Sequence, residues 1–302
     1  MKKVSVIVTT YNAEKTIIPT LKSILDQEGI GELFEVELIV VDDCSTDHTL
    51  KVLQGIPARV MTTPENTGGP NIGRNMGIKA ATGDYLAITD HDDIWMPHRL
   101  KTMLPYLEQY SIVTSGYTII DVVNKKEFSR TCNSQVGFVE YPQNETFLAR
   151  LKKLNSGQIT YLGAIIYRRE LKDILFEDYF GMVDFDWILR LFHQQSSLEI
   201  CEPLYKRYVH GSNLYMRDVY RKFDFYYSLM SIEDYQVLYP REVRKATRRI
   251  NGSRARYYYL VGNMRKARYH FRKGEFNWIT LLYYLTTYVG HRYVKRKFNI
   301  FG

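Results

Sequence analysis

Cysteine is scarce: Cys44, Cys132 and Cys201 are odd in number and far apart in 302 residues. None forms a CxxC pair, so their spacing implies neither a zinc site nor a disulfide framework, and a reducing cytosol is the expected compartment. Apolar runs long enough to cross a membrane are absent. The opening Met1-Lys2-Lys3-Val4 enters a strand pattern with about five apolar residues before polar ones, too few for a signal peptide. A Gly-rich triphosphate loop after the first strand is also missing, since Thr10-Tyr11-Asn12-Ala13 stands there. What remains is the composition of a soluble globular protein, long enough for one large or two modest domains.

The net charge of +8 hides an asymmetry. Leu204 to Gly302 carries 21 Lys and Arg against 6 Asp and Glu, a balance of +15, while the rest of the chain stands at −7. The basic segment is suited to an anionic surface, and charge alone does not say whether that surface is lipid, nucleic acid or sugar phosphate.

The first ninety residues alternate strand and helix signals. Val4 to Thr10 is β-branched and ends in the turn Tyr11-Asn12. Ile17, Ile18, Leu21, Ile24 and Leu25 follow at helical spacing, with Pro19 tolerated in the first turn. Glu37 to Val41 reads as a second strand, Ala58 to Thr62 as a third, and Asn71 to Ala81 as a helix after the loop Asn66 to Pro70. Continuous apolar strands between helices predict a mostly parallel sheet covered on both faces, with ligands at the carboxyl ends of its strands. Those ends are Thr9 to Asn12, Asp42-Asp43 and Asp90-His91-Asp92-Asp93. Asp90 and Asp92, two apart, share a face if the chain is extended. Carboxylates packed so closely repel one another. A divalent cation bridging to phosphates, Mg²⁺ or Mn²⁺, is the economical way to offset them.

Beyond Trp95 the signals are sparser. Leu100, Leu104 and Leu107 mark a helix, and Ser111 to Ile120 a strand. Residues 121 to 150 read as polar loop, and Tyr161 to Tyr167 as strand. Phe185, Ile188, Leu189 and Phe192 fit a helix beginning near Asp184, where a carboxylate serves either a reaction or the helix N-terminus. Tyr220 to Met230, Glu242 to Ile250, Arg254 to Val261 and Met264 to Lys273 read as helices, the last two as a hairpin. Trp278 to Val289 is apolar and aromatic ahead of Arg292, Lys295, Arg296 and Lys297. It reads equally as an interfacial helix on an anionic membrane surface and as a helix packed on the hairpin with a solvated basic tail.

Five motifs in order resemble the inverting family 2 glycosyltransferases of the GT-A fold. They are Val6 to Asn12; Val41-Asp42-Asp43-Cys44-Ser45-Thr46-Asp47; Asn66 to Gly69 with Gly73 to Gly77; Asp90-His91-Asp92-Asp93; and Val183-Asp184-Phe185-Asp186 with Leu189-Arg190. The resemblance implies an α/β, Rossmann-like nucleotide-diphospho-sugar transferase domain over residues 1–215. A basic, Tyr-rich helical region over 216–302 would serve acceptor, membrane-surface or oligomer contacts. Carried over by position, Tyr11 packs on the nucleobase with Thr9 lining the pocket, Asp43 accepts the imide proton, and Arg74 reaches the base or a phosphate. Asp90 lies by the ribose, Asp92 ligates Mn²⁺ or Mg²⁺, and Asp93 supports the acceptor side. Asp184 is the general base, and His210, in Tyr-x-x-His-Gly-Ser-Asn, contacts pyrophosphate or metal.

The implied enzyme moves one sugar from a nucleotide donor, a UDP-sugar, to a saccharide or lipid-linked acceptor in lipopolysaccharide- or capsule-type biosynthesis. It would be cytoplasmic, with the inner membrane face as a peripheral site. Three departures stand out. His91 replaces a small residue and is expected to point away from Asp90 and Asp92. Cys44 replaces a frequent glycine, so its backbone must avoid positive φ or accept a modest cost. Val183 stands where Glu is common, leaving Asp184 without that acidic neighbour. No Gln-x-x-Arg-Trp follows, which argues against a processive synthase. A nucleotidyltransferase acting on a sugar phosphate would need the missing triphosphate loop. A nucleic-acid binder could stack bases on the interleaved Tyr and Arg, but the acidic half would repel it, and no nucleic-acid partner is expected.

Overall fold

The computed structural model describes residues 1–153, 156–178, 184–210 and 218–297, with the side chains of 218–221 and 295–297 left aside. Val183 and Gly211 to Asn213, both part of the motifs above, lie outside the described residues. Spatial proximity divides the chain into two units, Met1–Phe147 with Gly157–Arg221, and Leu148–Ser156 with Lys222–Gly302.

The first unit is built on a mixed sheet. β1 (Lys2–Thr10), β2 (Phe34–Asp42), β3 (Arg59–Thr62) and β4 (Tyr85–Asp90) run parallel in the order β3-β2-β1-β4. Alternation along β1 decides what covers each face. Val4, Val6 and Val8 join Ile17, Leu21 and Ile24 of α1 (Ile17–Leu25) in one core. On the opposite face the backbone of α3 (Asn71–Ala80) closes on the same strand, Gly77 against Ile7 and Gly73 against Thr9 and Val41. Helices therefore lie on both sides, as a buried parallel sheet requires.

The remaining strands change direction. After the short β5 (Ile94–Trp95) and α4 (Arg99–Met103), β6 (Ile112–Asp121) crosses the molecule. β9 (Ile165–Arg168) fits antiparallel between β4 and β6. β10 (Ser197–Val209) lies parallel to β6 and pairs with β5 at its far side. Residues 121 to 150, read as loop, instead contain β7 (Lys126–Arg130), β8 (Phe138–Tyr141) and α5 (Glu145–Leu151). β7 is exposed along its whole length, so no apolar alternation announced it. The strand predicted from Tyr161 opens with a 3₁₀ turn, Leu162–Ala164, before β9 begins.

Cys132 and Cys201 form a disulfide, which corrects the expectation that the cysteines stand apart. They are 69 residues apart in sequence, but β7 and β10 both pair with β6, which brings their Cα atoms to 4.6 Å. Cys44 is the free cysteine.

The second unit is helical: α7 (Asp218–Glu233), α8 (Pro240–Leu260), α9 (Met264–Lys273), α10 (Trp278–Thr286) and α11 (His291–Lys297). The stretch Leu148–Ser156 goes with it, held by Arg249 Nη1 on the Lys152 carbonyl at 2.8 Å and by Lys153 Nζ on Ser228 Oγ at 3.0 Å. Two separate helices were expected over 242–261, whereas α8 runs unbroken through Gly252. The glycine has a packing reason, for a Cβ on Gly274 would sit 3.3 Å from the Gly252 Cα. Ala255, Tyr259, Ala267 and Phe271 form the small core of this unit.

Candidate active site

In-register pairing sets the site. Thr9 on β1 stands opposite Asp90 on β4, and Thr10 opposite Asp42 on β2, so three parallel strands end at one edge. Asn12 adopts a left-handed backbone at φ 49°, and its Oδ1 accepts from the Thr46 amide at 2.8 Å. The Asp42 carboxylate accepts from Ser45 N and Oγ at 2.9 and 2.5 Å. Two loops are thereby tied together beneath Tyr11, which is 43% exposed at the rim.

Asp43 is the anchor of the next loop. Its oxygens accept from Thr63 Oγ1 at 2.9 Å and from the Thr67 amide at 3.1 Å, with Asn66 Nδ2 at 3.3 Å. Cys44 takes the second of its two expected options, a left-handed φ of 56°. Its thiol donates to the Thr63 carbonyl at 3.0 Å, which offsets part of that conformational cost. Arg74, buried under this edge, donates to Asp90 Oδ1 at 3.1 Å and to Asn71 Oδ1 at 3.4 Å, with its guanidinium 5.2 Å from the Phe176 ring centre.

The acidic cluster is a turn rather than an extended run. β4 stops at Asp90 and the Asp93 amide donates back to the Asp90 carbonyl at 3.4 Å, so the period-two argument for Asp90 and Asp92 does not hold. The turn still gathers the charges. Burial pushes the Asp92 carboxyl above its usual range, Asp90 adds to the push, and His91 and His210 oppose it. Because of the same turn, the His91 ring folds back, with Nδ1 3.3 Å from the Thr9 carbonyl, rather than pointing away across a strand. His210 Nε2 lies 3.9 Å from Asp92 Oδ2, its ring stacked on Tyr208.

Asp93 is buried deeper. Burial, then Asp90 and Asp92, hold its carboxyl well above the ordinary range, against Arg207 and the Tyr208 amide. Its Oδ2 is buried without a hydrogen-bond partner, 3.3 Å from where a Cβ on Gly163 would sit, so a side chain there would crowd it. Below it Arg99 is sandwiched between Trp95 and Tyr205, 4.4 and 5.0 Å from the ring centres, and donates to the Gly163 carbonyl at 2.7 Å. Burial lowers the Arg99 pKa to about 10.

Asp184 precedes α6 (Phe185–Phe192), and its carboxylate makes no capping hydrogen bond to that helix. Tyr161 connects it to the acidic turn: burial raises that phenol far above its usual range, and Asp90, Asp93 and Asp184 all add to the shift while Arg207 opposes it. Arg207 sits 4.3 Å from the Tyr161 ring centre, and Tyr205 stacks on the same ring. The charges of Asp90, Asp93 and Asp184 are thus all felt at Tyr161, while Thr9, Asp43 and Arg74 line the adjoining strand ends. Tyr161, Arg207 and Arg99 carried no sequence signal, because aromatic and basic residues in a strand read as ordinary packing.

Among the described residues, no group of three or more His, Cys, Asp or Glu side chains is arranged to hold a metal ion. Two carboxylates completed by phosphate oxygens are nevertheless a sufficient set for Mg²⁺ or Mn²⁺. Asp92, half-buried and beside Asp90, and the unpartnered Asp93 oxygen are the groups of this turn that such a cation would meet.

The family model described as "Glycosyl transferase family 2" matches residues 5–175, more than half the chain. Staphylococcus aureus TarS, a poly(ribitol-phosphate) beta-N-acetylglucosaminyltransferase, is 38% identical over 114 residues, covering 36% of this chain and 20% of that protein. Escherichia coli WfgD, a UDP-Glc:alpha-D-GlcNAc-diphosphoundecaprenol beta-1,3-glucosyltransferase, is 33% identical over 159 residues, 52% of this chain and 58% of WfgD. The match thus spans from a fifth to just over half of these relatives. The crystal structure of S. aureus TarS 1–349 in complex with UDP-GlcNAc superposes with a TM-score of 0.67 over 98% of this chain and 92% of that one, at 19% identity. That likeness is one of fold.

Proposed function

Because the chain belongs to glycosyl transferase family 2 and carries its fold, we propose that it transfers a single sugar, with inversion, from a UDP-sugar to a saccharide or lipid-linked acceptor in surface-polysaccharide biosynthesis. The observation that carries this reading is the in-register convergence of Thr9, Asp42 and Asp90 at one edge of the parallel sheet, with Asp43 anchoring the next loop and Arg74 bound to Asp90. The UDP and UDP-GlcNAc complexes of TarS support a uridine donor. Tyr11 and Thr9 would bound the base, Asp43 would accept its imide proton, and Arg74 and Asp90 would fix the ribose and phosphates. A divalent cation, Mn²⁺ or Mg²⁺, would be held by Asp92 and would neutralise the departing diphosphate. His210, beside Asp92, would steady that same end of the donor.

Asp184 would take the acceptor hydroxyl proton as that oxygen attacks the anomeric carbon, on the face opposite the diphosphate. The carbon–oxygen bond forms as the bond to the diphosphate breaks, so no covalent enzyme intermediate is needed. Asp93 would brace the acceptor side from beneath. Residues 1–215 would be the catalytic domain and 216–302 the basic helical region, placing the enzyme in the cytoplasm and peripherally at the inner membrane face. No described helix is long and apolar enough to cross a membrane. The test is UDP release from a panel of UDP-sugars with and without Mn²⁺. Asp184→Asn should bind UDP normally and lose about 10²–10⁴-fold in kcat, and unchanged turnover in that variant rules out the base assignment.

A further inference from the structure

The second unit leaves one apolar surface uncovered. On its inner side α10 is engaged, with Tyr283 set edge-on to Tyr259 at 5.6 Å and Thr287 buried. On its outer side Trp278 is 78% exposed, and Ile279, Leu282, Leu285 and Val289 are each more than half exposed. Trp278, Leu282 and Leu285 recur four and three apart with Ile279 three before Leu282, and Val289 follows in the turn after the helix, so that one stripe results. From Phe276 to Gly290 there is no charged residue, and from Phe276 to Gly302 no acidic one. A contiguous apolar stripe of this kind marks a contact surface.

The charges around the stripe select the partner. The Arg268 guanidinium lies 4.5 Å from the Tyr288 ring centre and donates to the Thr287 carbonyl at 3.0 Å. Arg272 Nε donates to the Tyr284 hydroxyl at 2.9 Å, and Arg292 is exposed just beyond. The nearby Glu275 is committed to Arg249 at 2.9 Å. A two-fold pairing of this face with a second copy would set cations against cations with no carboxylate to offset them. An apolar stripe bordered by Arg268, Arg272 and Arg292, with the nearby carboxylate already paired, fits anionic headgroups over an acyl layer.

We propose that the outer face of α10 docks on an anionic lipid surface, with Trp278, Ile279, Leu282, Leu285 and Val289 entering the acyl boundary and Arg268, Arg272 and Arg292 meeting lipid phosphates. It rests on the peripheral placement proposed above and is independent of the transfer chemistry. The protein carries its own reporter, because Trp95 and Trp187 are buried at 2% and 1% exposure whereas Trp278 is open.

Full-length protein is mixed with phosphatidylglycerol-rich vesicles and with pure phosphatidylcholine vesicles, reading tryptophan emission and co-sedimentation. The expected result is a blue shift on the anionic vesicles, absent in Trp278→Phe and reversed by salt. The double variant Leu282→Ser/Leu285→Ser should lose binding by about tenfold or more, with UDP affinity and thermal melting unchanged. Equal binding by wild type and the double variant overturns the assignment of this face and leaves peripheral placement standing. No vesicle binding by the wild type removes both. Self-association abolished by the double variant, without vesicle binding, gives the face to a second copy and also overturns the proposal.

Discussion

Asp43 ties together the loop after β3, because one carboxylate accepts from Thr63, Asn66 and the Thr67 amide at once. Asp43→Ala frees the loop as well as removing the proposed partner of the base. The expected outcome is a rise of about tenfold or more in the Kd for UDP, ~1.4 kcal/mol, by calorimetric titration. Asp43→Asn keeps the shape and some of the hydrogen bonds, so its loss should be smaller. Asp43 was legible because Asp42-Asp43 ends an apolar run. Tyr161 was not, since nothing in Gln158-Ile159-Thr160-Tyr161 distinguishes a phenol that feels the acidic turn from one packed in an ordinary core. The position of Asp184 was legible only through the helical period that follows it.

Among the elements, those whose apolar pattern is unbroken could be placed from sequence: β1, β2 and β4 with the helices α1 and α3 between them. β10 could not. Pro203 and the charged Glu202, Lys206 and Arg207 interrupt it, and its pairing with β6 shifts register on either side of Pro203. A proline inside a central strand normally argues against one, and here the bulges accommodate it. α9 supports a prediction of its own. His270 stacks on Tyr258, and its Nδ1 lies 2.9 Å from Asn251 Oδ1. Burial first, then Arg254, Lys273 and Lys266, lowers its pKa to about 4. The unfolded chain takes up that proton near pH 6.5 while the folded chain does not. Stability should therefore fall as pH drops from about 6.5 through about 4, read as Tm by circular dichroism, and His270→Gln should flatten the slope.

At the scale of the whole molecule, the Cys132–Cys201 bond joins two positions of the first unit that stand 69 residues apart in sequence. Loop-closure entropy assigns such a crosslink about 4 kcal/mol at most. Reduction with dithiothreitol should lower the melting temperature without changing UDP affinity, and thiol titration should rise from one group to three under denaturation. In a reducing compartment the same two positions would hold a thiol pair. The order of the sheet has a further effect, on synthesis. β4 stays one-sided until β9 arrives to pair with it, about 75 residues later. At ribosomal speeds of roughly 5–20 residues per second, the half-built sheet shows a bare hydrogen-bonding margin for about 4–15 seconds. A chain stalled in that interval, or truncated before Ile165, is a natural client for holding chaperones and the species most prone to precipitate during expression.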